Sequence, residues 1–199
     1  MILLSDEMLA QQILEGDTAA FEELLNRYKK SIFTIAYRMM GNYHEAEDIS
    51  QEVFVTVYNK LYQFNRSKKF SPWIHRIAVN TCISTIRKRN KVVALSFDES
   101  FAPQYEVEQN ELHEDPQLVF ERKELKTEIE AVLMELPESY RMVLILRYQL
   151  DLKNQEIAEI MGISRENVEV KIHRARKAMR KTIVKRWGEG GLKDELSAL

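Results

Sequence analysis

The sequence predicts an all-α protein of two small helical domains joined by an acidic linker, with a helix-turn-helix in the second domain. Apolar residues recur at spacings of three and four along most of the chain, and no β-type alternation persists. Residues 66–97 contain eight Lys or Arg residues and no acidic one, whereas residues 92–121 contain eight acidic residues and no Lys or Arg. The length of 199 residues suffices for two small domains. Basic blocks on either side of an acidic connector indicate two separate nucleic-acid contacts.

Composition excludes several classes of protein. No stretch approaches the roughly 18 apolar residues of a membrane span, and the N-terminal apolar run is too short for the core of a signal peptide. Because Cys82 is the only cysteine, the chain cannot form an intrachain disulfide, which suits a reducing cytoplasm. We predict that Cys82 is a small core residue. Neither a metal nor a cofactor is expected, because the histidines are scattered along the chain at His44, His75, His113 and His173.

The first domain is predicted to span residues 1–91 and to begin with two helices. Residues 5–15 form the first helix. Asp17 is a suitable N-cap for the second helix, which is expected to be broken or bent near residues 29–31 and to end at Gly41.

Residues 43–61 predict a third helix with two distinct faces. Its core stripe is Ala46, Ile49, Val53 and Val57. The opposite face is either a solvated acidic surface or a partner-binding surface with Val55 as its apolar centre, and it consists of Asp48, Gln51, Glu52, Val55 and Asn59.

Aromatic residues alternate with cations in the predicted loop at residues 62–71. This composition suits unstacked bases on aromatic faces with phosphates beside the cations, although Phe64 and Phe70 could instead anchor the loop in the core. Ser71 and Pro72 are expected to begin the next helix. One face of that helix predicts a DNA track of Trp73, Arg76, Asn80 and Arg87.

The acidic linker is predicted at residues 92–115, with a short ordered piece near its start, and the second domain at residues 116–187. Asp115 and Pro116 suit the start of a helix that Leu136 and Pro137 interrupt. A tail at residues 188–199 is expected to be flexible, because it is rich in glycine at its start.

The helix-turn-helix lies near the end of the second domain. Asn154 suits the N-cap of its first helix, Gly162 the residue after that helix, and Ser164 the N-cap of the second. Residues 164–187 contain nine Lys or Arg against two acids, so the second helix suits the DNA major groove. A solvated basic helix on a small bundle is the alternative. Its buried stripe is predicted to be Val168, Ile172, Ala175, Met179 and Ile183.

Four motifs in this order resemble the bacterial sigma-70 family, and the two-domain layout resembles its extracytoplasmic-function (ECF, group 4) members. AEDISQEVF at 46–54 resembles the helix that binds core RNA polymerase, and FSPWIHRIAVN at 70–80 resembles the segment that handles the −10 element. LPESYR at 136–141 and EIAEIMGIS at 156–164 resemble the last domain, and HRARKAMR at 173–180 the end of its recognition helix.

The resemblance implies a cytoplasmic initiation factor without catalytic residues, cofactor, small-molecule substrate or membrane insertion. Its partners would be the beta and beta-prime subunits of core RNA polymerase, promoter DNA and an anti-sigma factor, often membrane-bound. The linker would lie in the polymerase cleft in place of RNA. The implied polymerase contacts are Asp48, Gln51, Glu52, Val55 and Asn59. The implied contacts with the melted −10 strand are Phe64, Asn65, Arg66, Lys68, Lys69, Phe70, Trp73, Arg76, Asn80 and Arg87. The implied contacts with the −35 duplex are Arg165, Glu166, Asn167, Glu169, Val170, Lys171, His173, Arg174, Arg176 and Lys177.

Two further hypotheses compete with the sigma-factor interpretation. An ordinary helix-turn-helix regulator would bind duplex DNA without polymerase and would not need the Asp48 face. An enzyme is disfavoured, because the sequence has no phosphate-binding glycine loop and no nucleophile elbow. Glu169 and Val170 depart from the family pattern and could contact cytosine N4 and a thymine methyl group.

Overall fold

The computed structural model describes the backbone of residues 4–95 and 116–196, and the side chains of residues 4–89, 125 and 127–188. Within these ranges the regular structure is helical, which confirms the predicted fold class. The helices are α1 Asp6–Leu14, α2 Thr18–Met40, α3 Tyr43–Lys60, a 3₁₀ turn Leu61–Gln63, α4 Phe70–Leu95, α5 Pro116–Glu135, α6 Glu138–Leu144, a π turn Ile145–Gln149, α7 Asn154–Met161 and α8 Arg165–Leu196.

Local sequence signals explain where the first three helices begin. The Ser5 hydroxyl accepts a hydrogen bond from the Met8 amide at 3.2 Å. The Asp17 carboxylate accepts from the Ala19 amide at 2.9 Å, as predicted for an N-cap. The Asn42 side chain caps α3 in the same way, directly after Gly41 ends α2 with a φ of 72°.

The predicted break in α2 is wrong. The helix is continuous from Thr18 to Met40. The Ser31 hydroxyl donates to the Tyr28 carbonyl oxygen at 3.0 Å, so this polar side chain is satisfied within the helix. Lys29 and Lys30 extend into solvent and do not interrupt the helix.

Both ends of α4 differ from the prediction. The helix begins at Phe70, whose amide donates to the Glu7 carboxylate at 3.0 Å, so a residue of α1 replaces Ser71 as the cap. That bond lowers the pKa of Glu7. The helix then runs to Leu95, beyond the predicted domain boundary at residue 91, through a stretch without glycine or proline. The rest of the predicted linker, residues 96–115, lies outside the described residues.

The C-terminal half follows the predicted order of helices. The interruption between α5 and α6 falls at Leu136 and Pro137 as expected. Gly188 has non-helical torsion angles (φ 75°, ψ 174°), and the backbone is helical again after it up to Leu196. Residues 197–199 of the predicted flexible tail lie outside the described range.

The helix-turn-helix has the predicted turn and one different cap. Gly162 has a φ of 66° and donates its amide to the Ala158 carbonyl, which closes α7. The Ser164 hydroxyl accepts from the Asn167 amide at 3.3 Å, which confirms the cap of α8. The predicted N-cap at Asn154 is wrong, because α7 begins at that residue and the preceding Lys153 amide is satisfied by the Glu156 carboxylate at 2.9 Å.

Packing joins the two halves into one structure, which was not predicted. Helices α2, α3 and α4 pack against one another with α1 across α2 and α4, while α5, α6 and α7 pack on α8. Helix α7 also lies against α4, and α5 and α6 lie against α2. The buried side chains of both halves therefore form one continuous cluster. The α3 core stripe is buried as predicted, whereas the α8 stripe is fully buried only at Val168 and Ala175.

Candidate nucleic-acid and protein interfaces

The outer side of α3 is exposed along its length. We call Asp48, Gln51, Glu52, Val55 and Asn59 the α3 face; each of them is open to solvent. Val55 is 61% exposed although it is a β-branched apolar residue in the middle of a helix. A single exposed valine is common on protein surfaces, so its exposure agrees with a solvated acidic surface and with a partner-binding surface alike.

A groove between α2 and α3 adjoins the α3 face. Its volume is about 1250 Å³, and it shares Gln51, Val55 and Asn59 with that face. The Phe21 and Tyr58 rings both line the groove and meet edge to face, with 5.2 Å between their centroids. The α2 side of the groove was not predicted. Its sequence signal is a second stripe at spacings of four and eight, formed by Phe21, Leu25 and Phe33 beside Lys29 and Lys30.

The predicted base-binding aromatics of the loop are core residues in this structure. Phe64 is 7% exposed and Phe70 is 0% exposed. Their ring centroids lie 5.2 Å apart, and each ring lies within 5.4 Å of the Trp73 ring. This burial agrees with the alternative in which Phe64 and Phe70 anchor the loop in the core. They support Trp73, which remains half-exposed.

The polar residues of the same loop divide into two groups. The Asn65 side chain accepts from the Ser67 amide at 3.0 Å and from the Ser67 hydroxyl at 2.8 Å, which fixes the turn. Arg66, Lys68 and Lys69 are exposed and lie in sequence between the two buried aromatics. The loop therefore exposes three cationic side chains, while its two aromatic side chains are buried beneath them.

The predicted DNA track on α4 faces the helix-turn-helix. Arg76, Asn80 and Arg87 are exposed. A cleft of about 420 Å³ nevertheless lies between Arg76 and the turn that contains Gly162. A smaller cleft of about 150 Å³ lies between α4, at Asn80 and Arg87, and the helices α6 and α7. The structure thus brings the two predicted DNA-binding regions against each other.

The outer side of α8 is basic and exposed. We call Arg165, Glu166, Asn167, Glu169, Val170, His173, Arg174, Arg176 and Lys177 the α8 face; all nine are open to solvent. Val170 is 47% exposed. Lys171, the tenth predicted residue, is half-buried with its Nζ 5.9 Å from the centre of the Tyr140 ring.

Glu169, one of two acids on the α8 face, has two partners. Its carboxylate accepts from the Asn154 Nδ2 at 3.3 Å and lies 3.5 Å from the Arg165 Nε. These contacts hold the side chain toward the N-terminus of α7. The other acid, Glu166, has a lowered pKa, because its own backbone amide and the Ser164 hydroxyl hydrogen-bond to the carboxylate at the start of α8.

Buried titratable groups lie away from these surfaces. Burial lowers the pKa of His75 to about 4, and the ring nitrogens lie 3.1 Å from the Ser31 hydroxyl and 3.3 Å from the Ser71 hydroxyl. Burial raises the pKa of the Cys82 thiol to about 12. Within the described residues no cluster of three or more potential ligands is suited to a metal ion. None of the helices in the described ranges has the length and apolar character that a bilayer crossing requires.

Two family models match this chain. Sigma-70 region 2 matches residues 24–92, which contain the α3 face, the loop and the α4 track. Sigma-70, region 4, matches residues 126–179, which contain the helix-turn-helix and the α8 face.

Comparison with individual proteins also identifies sigma factors as similar to this chain. The ECF RNA polymerase sigma factor SigW of Bacillus subtilis is 36% identical over 177 residues, which cover 87% of this chain and 94% of that protein. The fold is similar to CnrH solved with the cytosolic domain of CnrY, with a TM-score of 0.67, 23% identity and coverage of 89% and 96%. It is also similar to the sigma factor RpoE of Bartonella quintana solved with the anti-sigma factor NepR, with a TM-score of 0.67, 19% identity and coverage of 82% and 96%. The chain therefore belongs to the sigma-70 family and, within it, to the ECF RNA polymerase sigma factors.

Proposed function

We propose that this chain binds core RNA polymerase and directs it to promoters, as a group 4 sigma factor without an active site of its own. The observation that carries this proposal is the presence of two exposed faces of different chemistry on one chain. The α3 face is acidic with an apolar centre, and the α8 face is basic. A regulator that acts on duplex DNA alone requires only the second.

The α3 face would dock on the beta-prime subunit, with Val55 at the centre and Asp48, Gln51, Glu52 and Asn59 around it. Docking would remove the Val55 side chain from water inside a polar rim, and burial of that apolar area would favour binding. Acidic groups at the rim steer a basic partner and accelerate association. The adjoining groove between α2 and α3 supports a contact that extends beyond the α3 face.

The loop and α4 would hold the melted −10 strand. Trp73 is the one half-exposed ring of the aromatic cluster, so it is the proposed stacking surface, and Phe64 and Phe70 hold it in place. Arg66, Lys68, Lys69, Arg76, Asn80 and Arg87 would contact phosphates and base edges, with Asn65 shaping the loop. Extruding a base costs a few kcal/mol, which binding of the extruded base would offset without ATP.

The α8 face would enter the major groove of the −35 element. Glu169, Val170, His173 and Arg174 are the proposed base readers, and Arg165, Asn167, Lys171 and Arg176 would lie near phosphates, with Glu166 and Lys177 on the same DNA-facing side. If Arg174 reads a base, Arg174→Ala costs about 1–3 kcal/mol at one position of the element. A phosphate contact would instead weaken binding to all sequences alike.

The remaining parts of the proposal concern regulation and layout. Residues 1–91 would form the polymerase and −10 domain and residues 116–187 the −35 domain, with the connecting segment in the polymerase cleft and contacts to the beta subunit. An anti-sigma factor, often membrane-bound in this family, would hold the chain inactive in the cytoplasm. Two proteins of similar fold were solved with partner proteins, and one of these complexes is a sigma factor with an anti-sigma factor, which supports this part.

Reconstituted transcription tests the proposal. Purified chain and core polymerase are used to select promoters from a random library, and run-off synthesis is measured on the selected template. Asp48→Ala with Gln51→Ala is expected to weaken core binding. Glu22→Ala, which removes an exposed carboxylate of α2 outside the α3 face, is the matched control. The regulator alternative is favoured instead if the chain binds a palindromic duplex alone and ignores core polymerase.

A second experiment tests the −10 assignment. Trp73→Ala is expected to impair strand opening, measured by permanganate reactivity of unpaired thymines, more than closed-complex binding. Normal opening by this variant would remove Trp73 from the proposed contacts.

A further inference from the structure

Glu169 is an acidic residue on a face that would approach the phosphates of DNA. A carboxylate without a partner is repelled by phosphates. An exposed glutamate side chain also samples many conformations, so ordering it against a base has an entropic cost. A glutamate that reads one base therefore needs groups that offset its charge and restrict its side chain. The structure places two such groups beside it.

One partner of Glu169 comes from the same helix. The Arg165 Nε, one turn earlier on α8, lies 3.5 Å from the Glu169 Oε1, and both side chains are more than half exposed. An exposed pair of this kind contributes little to stability, but it places positive charge beside the carboxylate. The contact uses Nε, so the two terminal nitrogens of Arg165 are left for the phosphate contact proposed for that residue.

The other partner comes from the first helix of the helix-turn-helix. The Asn154 Nδ2 donates to the same oxygen, Glu169 Oε1, at 3.3 Å. Asn154 is half-buried at the start of α7, so it has less conformational freedom than the exposed glutamate. Its side chain is available for this contact because the Glu156 carboxylate, and not Asn154, satisfies the Lys153 amide before α7.

The packing of the two helices brings Asn154 and Glu169 together. Ile157 of α7 and Val168 of α8 are fully buried, and α7 packs on α8. Gly162 ends α7 in the left-handed conformation, and α8 begins three residues later at residue 165. This short turn folds α7 back on α8, so the start of α7 lies beside the second turn of α8 although the two side chains are 15 positions apart.

The second oxygen of the Glu169 carboxylate remains available to a base. Both contacts involve Oε1, and Oε2 has no hydrogen-bond partner within the described part of the chain. A carboxylate oxygen only accepts hydrogen bonds. In the major groove cytosine offers an N4 amino donor, whereas guanine offers the acceptors N7 and O6. An Oε2 presented to the groove would therefore accept from cytosine and disfavour guanine.

We infer that Asn154 is a positioning residue for −35 recognition, which together with Arg165 holds the Glu169 carboxylate so that Oε2 meets the N4 amino group of one cytosine. Asn154 thereby sets a base preference without contacting a base. The inference rests on the proposed function of the α8 face, and it adds a residue of α7 on which the selectivity of that face depends. Immobilising one flexible side chain costs about two- to tenfold in affinity, so loss of Asn154 should lower the preference for cytosine by a similar factor.

Nuclear magnetic resonance of the full chain tests the contact without polymerase or DNA. The resonances of the Asn154 side-chain amide should move in Glu169→Ala, which removes the acceptor. They should stay in place in Glu159→Ala, which removes an exposed carboxylate elsewhere on α7. Identical Asn154 resonances in the parent and in Glu169→Ala would overturn the contact, and with it the inference, whatever the chain does with promoters.

Competition binding with the holoenzyme tests the base preference. The templates are variants of a selected promoter that differ at single −35 base pairs, and Glu169→Ala identifies the pair that Glu169 reads. At that pair Asn154→Ala should lower the preference for cytosine about two- to tenfold, with the other pairs unchanged. Gln155→Ala, at the neighbouring exposed position, is the matched control and should keep every preference. In the Glu169→Ala background, Asn154→Ala should have no further effect, because the group that it positions is absent.

Asn154→Asp provides a second variant, because an ionised aspartate cannot donate and places like charge beside Glu169. It should lose at least as much of the cytosine preference as Asn154→Ala, and circular dichroism should show the parent's helix content in both.

Three results of the competition experiment would overturn the inference. An equal loss at every base pair would make Asn154 a phosphate contact. An unchanged preference in both Asn154 variants would remove Asn154 from recognition. Additive losses in the double variant would show that Asn154 acts independently of Glu169. If the parent holoenzyme distinguished no −35 base pair, the proposed function and the base preference would both be wrong, whereas the resonance test would still decide the contact.

Discussion

Replacing Phe70 by alanine separates a core role from a DNA-contact role. The ring is fully buried and lies edge to face against Tyr28 at 5.6 Å and near Phe64 and Trp73. Truncation of a buried phenylalanine removes its transfer free energy and leaves a cavity, which together cost about 3–5 kcal/mol. This is a large part of the roughly 5–15 kcal/mol that stabilises a folded domain.

Urea unfolding followed by circular dichroism measures this loss. With a slope of about 2–3 kcal/mol per molar urea, the midpoint is expected to fall by about 1–2.5 M in Phe70→Ala. Phe70→Leu keeps an apolar side chain and should lose less. Tyr62→Ala removes an aromatic ring that is 71% exposed in the same loop, so it should change stability by no more than about 0.5 kcal/mol. A midpoint for Phe70→Ala equal to that of the parent would refute the core assignment and restore Phe70 as a candidate base contact.

Three further predictions follow from single residues. The pKa of His75 is lowered to about 4, so between pH 6.5 and 4 the unfolded chain binds a proton that the folded chain does not, and stability should fall by about 3 kcal/mol as pH decreases. Urea unfolding of His75→Gln should show a weaker pH dependence over this range. Gly41→Ala should cost more than about 1 kcal/mol, because of the positive φ and the Met134 contact, and more than Gly16→Ala, where space is open. If Glu169 reads cytosine, Glu169→Gln should lose discrimination at one −35 base pair in competition binding, and equal losses at every base pair would contradict this role.

The secondary structure was largely determined by local sequence. Asp17, Gly162 and Ser164 cap helices as predicted, because a cap depends on hydrogen bonds within a few residues. The start of α4 was mispredicted for the opposite reason. Its first amide is satisfied by Glu7, a residue 63 positions earlier, and no local pattern contains that contact.

The candidate surfaces were determined by sequence only where helical spacing decides exposure. The α3 face is exposed as its spacing predicted, since its opposite stripe is buried. The fate of Phe64 and Phe70 depended on the tertiary structure, because an aromatic residue in a loop suits both a base and a core, and only the position of neighbouring helices distinguishes them.

By itself, the sequence determined that the chain has two helical, basic regions with the motifs of one family in the correct order. Only the tertiary structure decided how these regions lie relative to each other. That arrangement includes the Arg38–Glu130 ion pair and the Arg141 hydrogen bond to Met39, whose partners are 92 and 102 positions apart. No pattern in the sequence predicts that an arginine side chain will donate to a backbone carbonyl of another helix. Which charged side chains are buried can therefore be learned only from the packed arrangement of the helices.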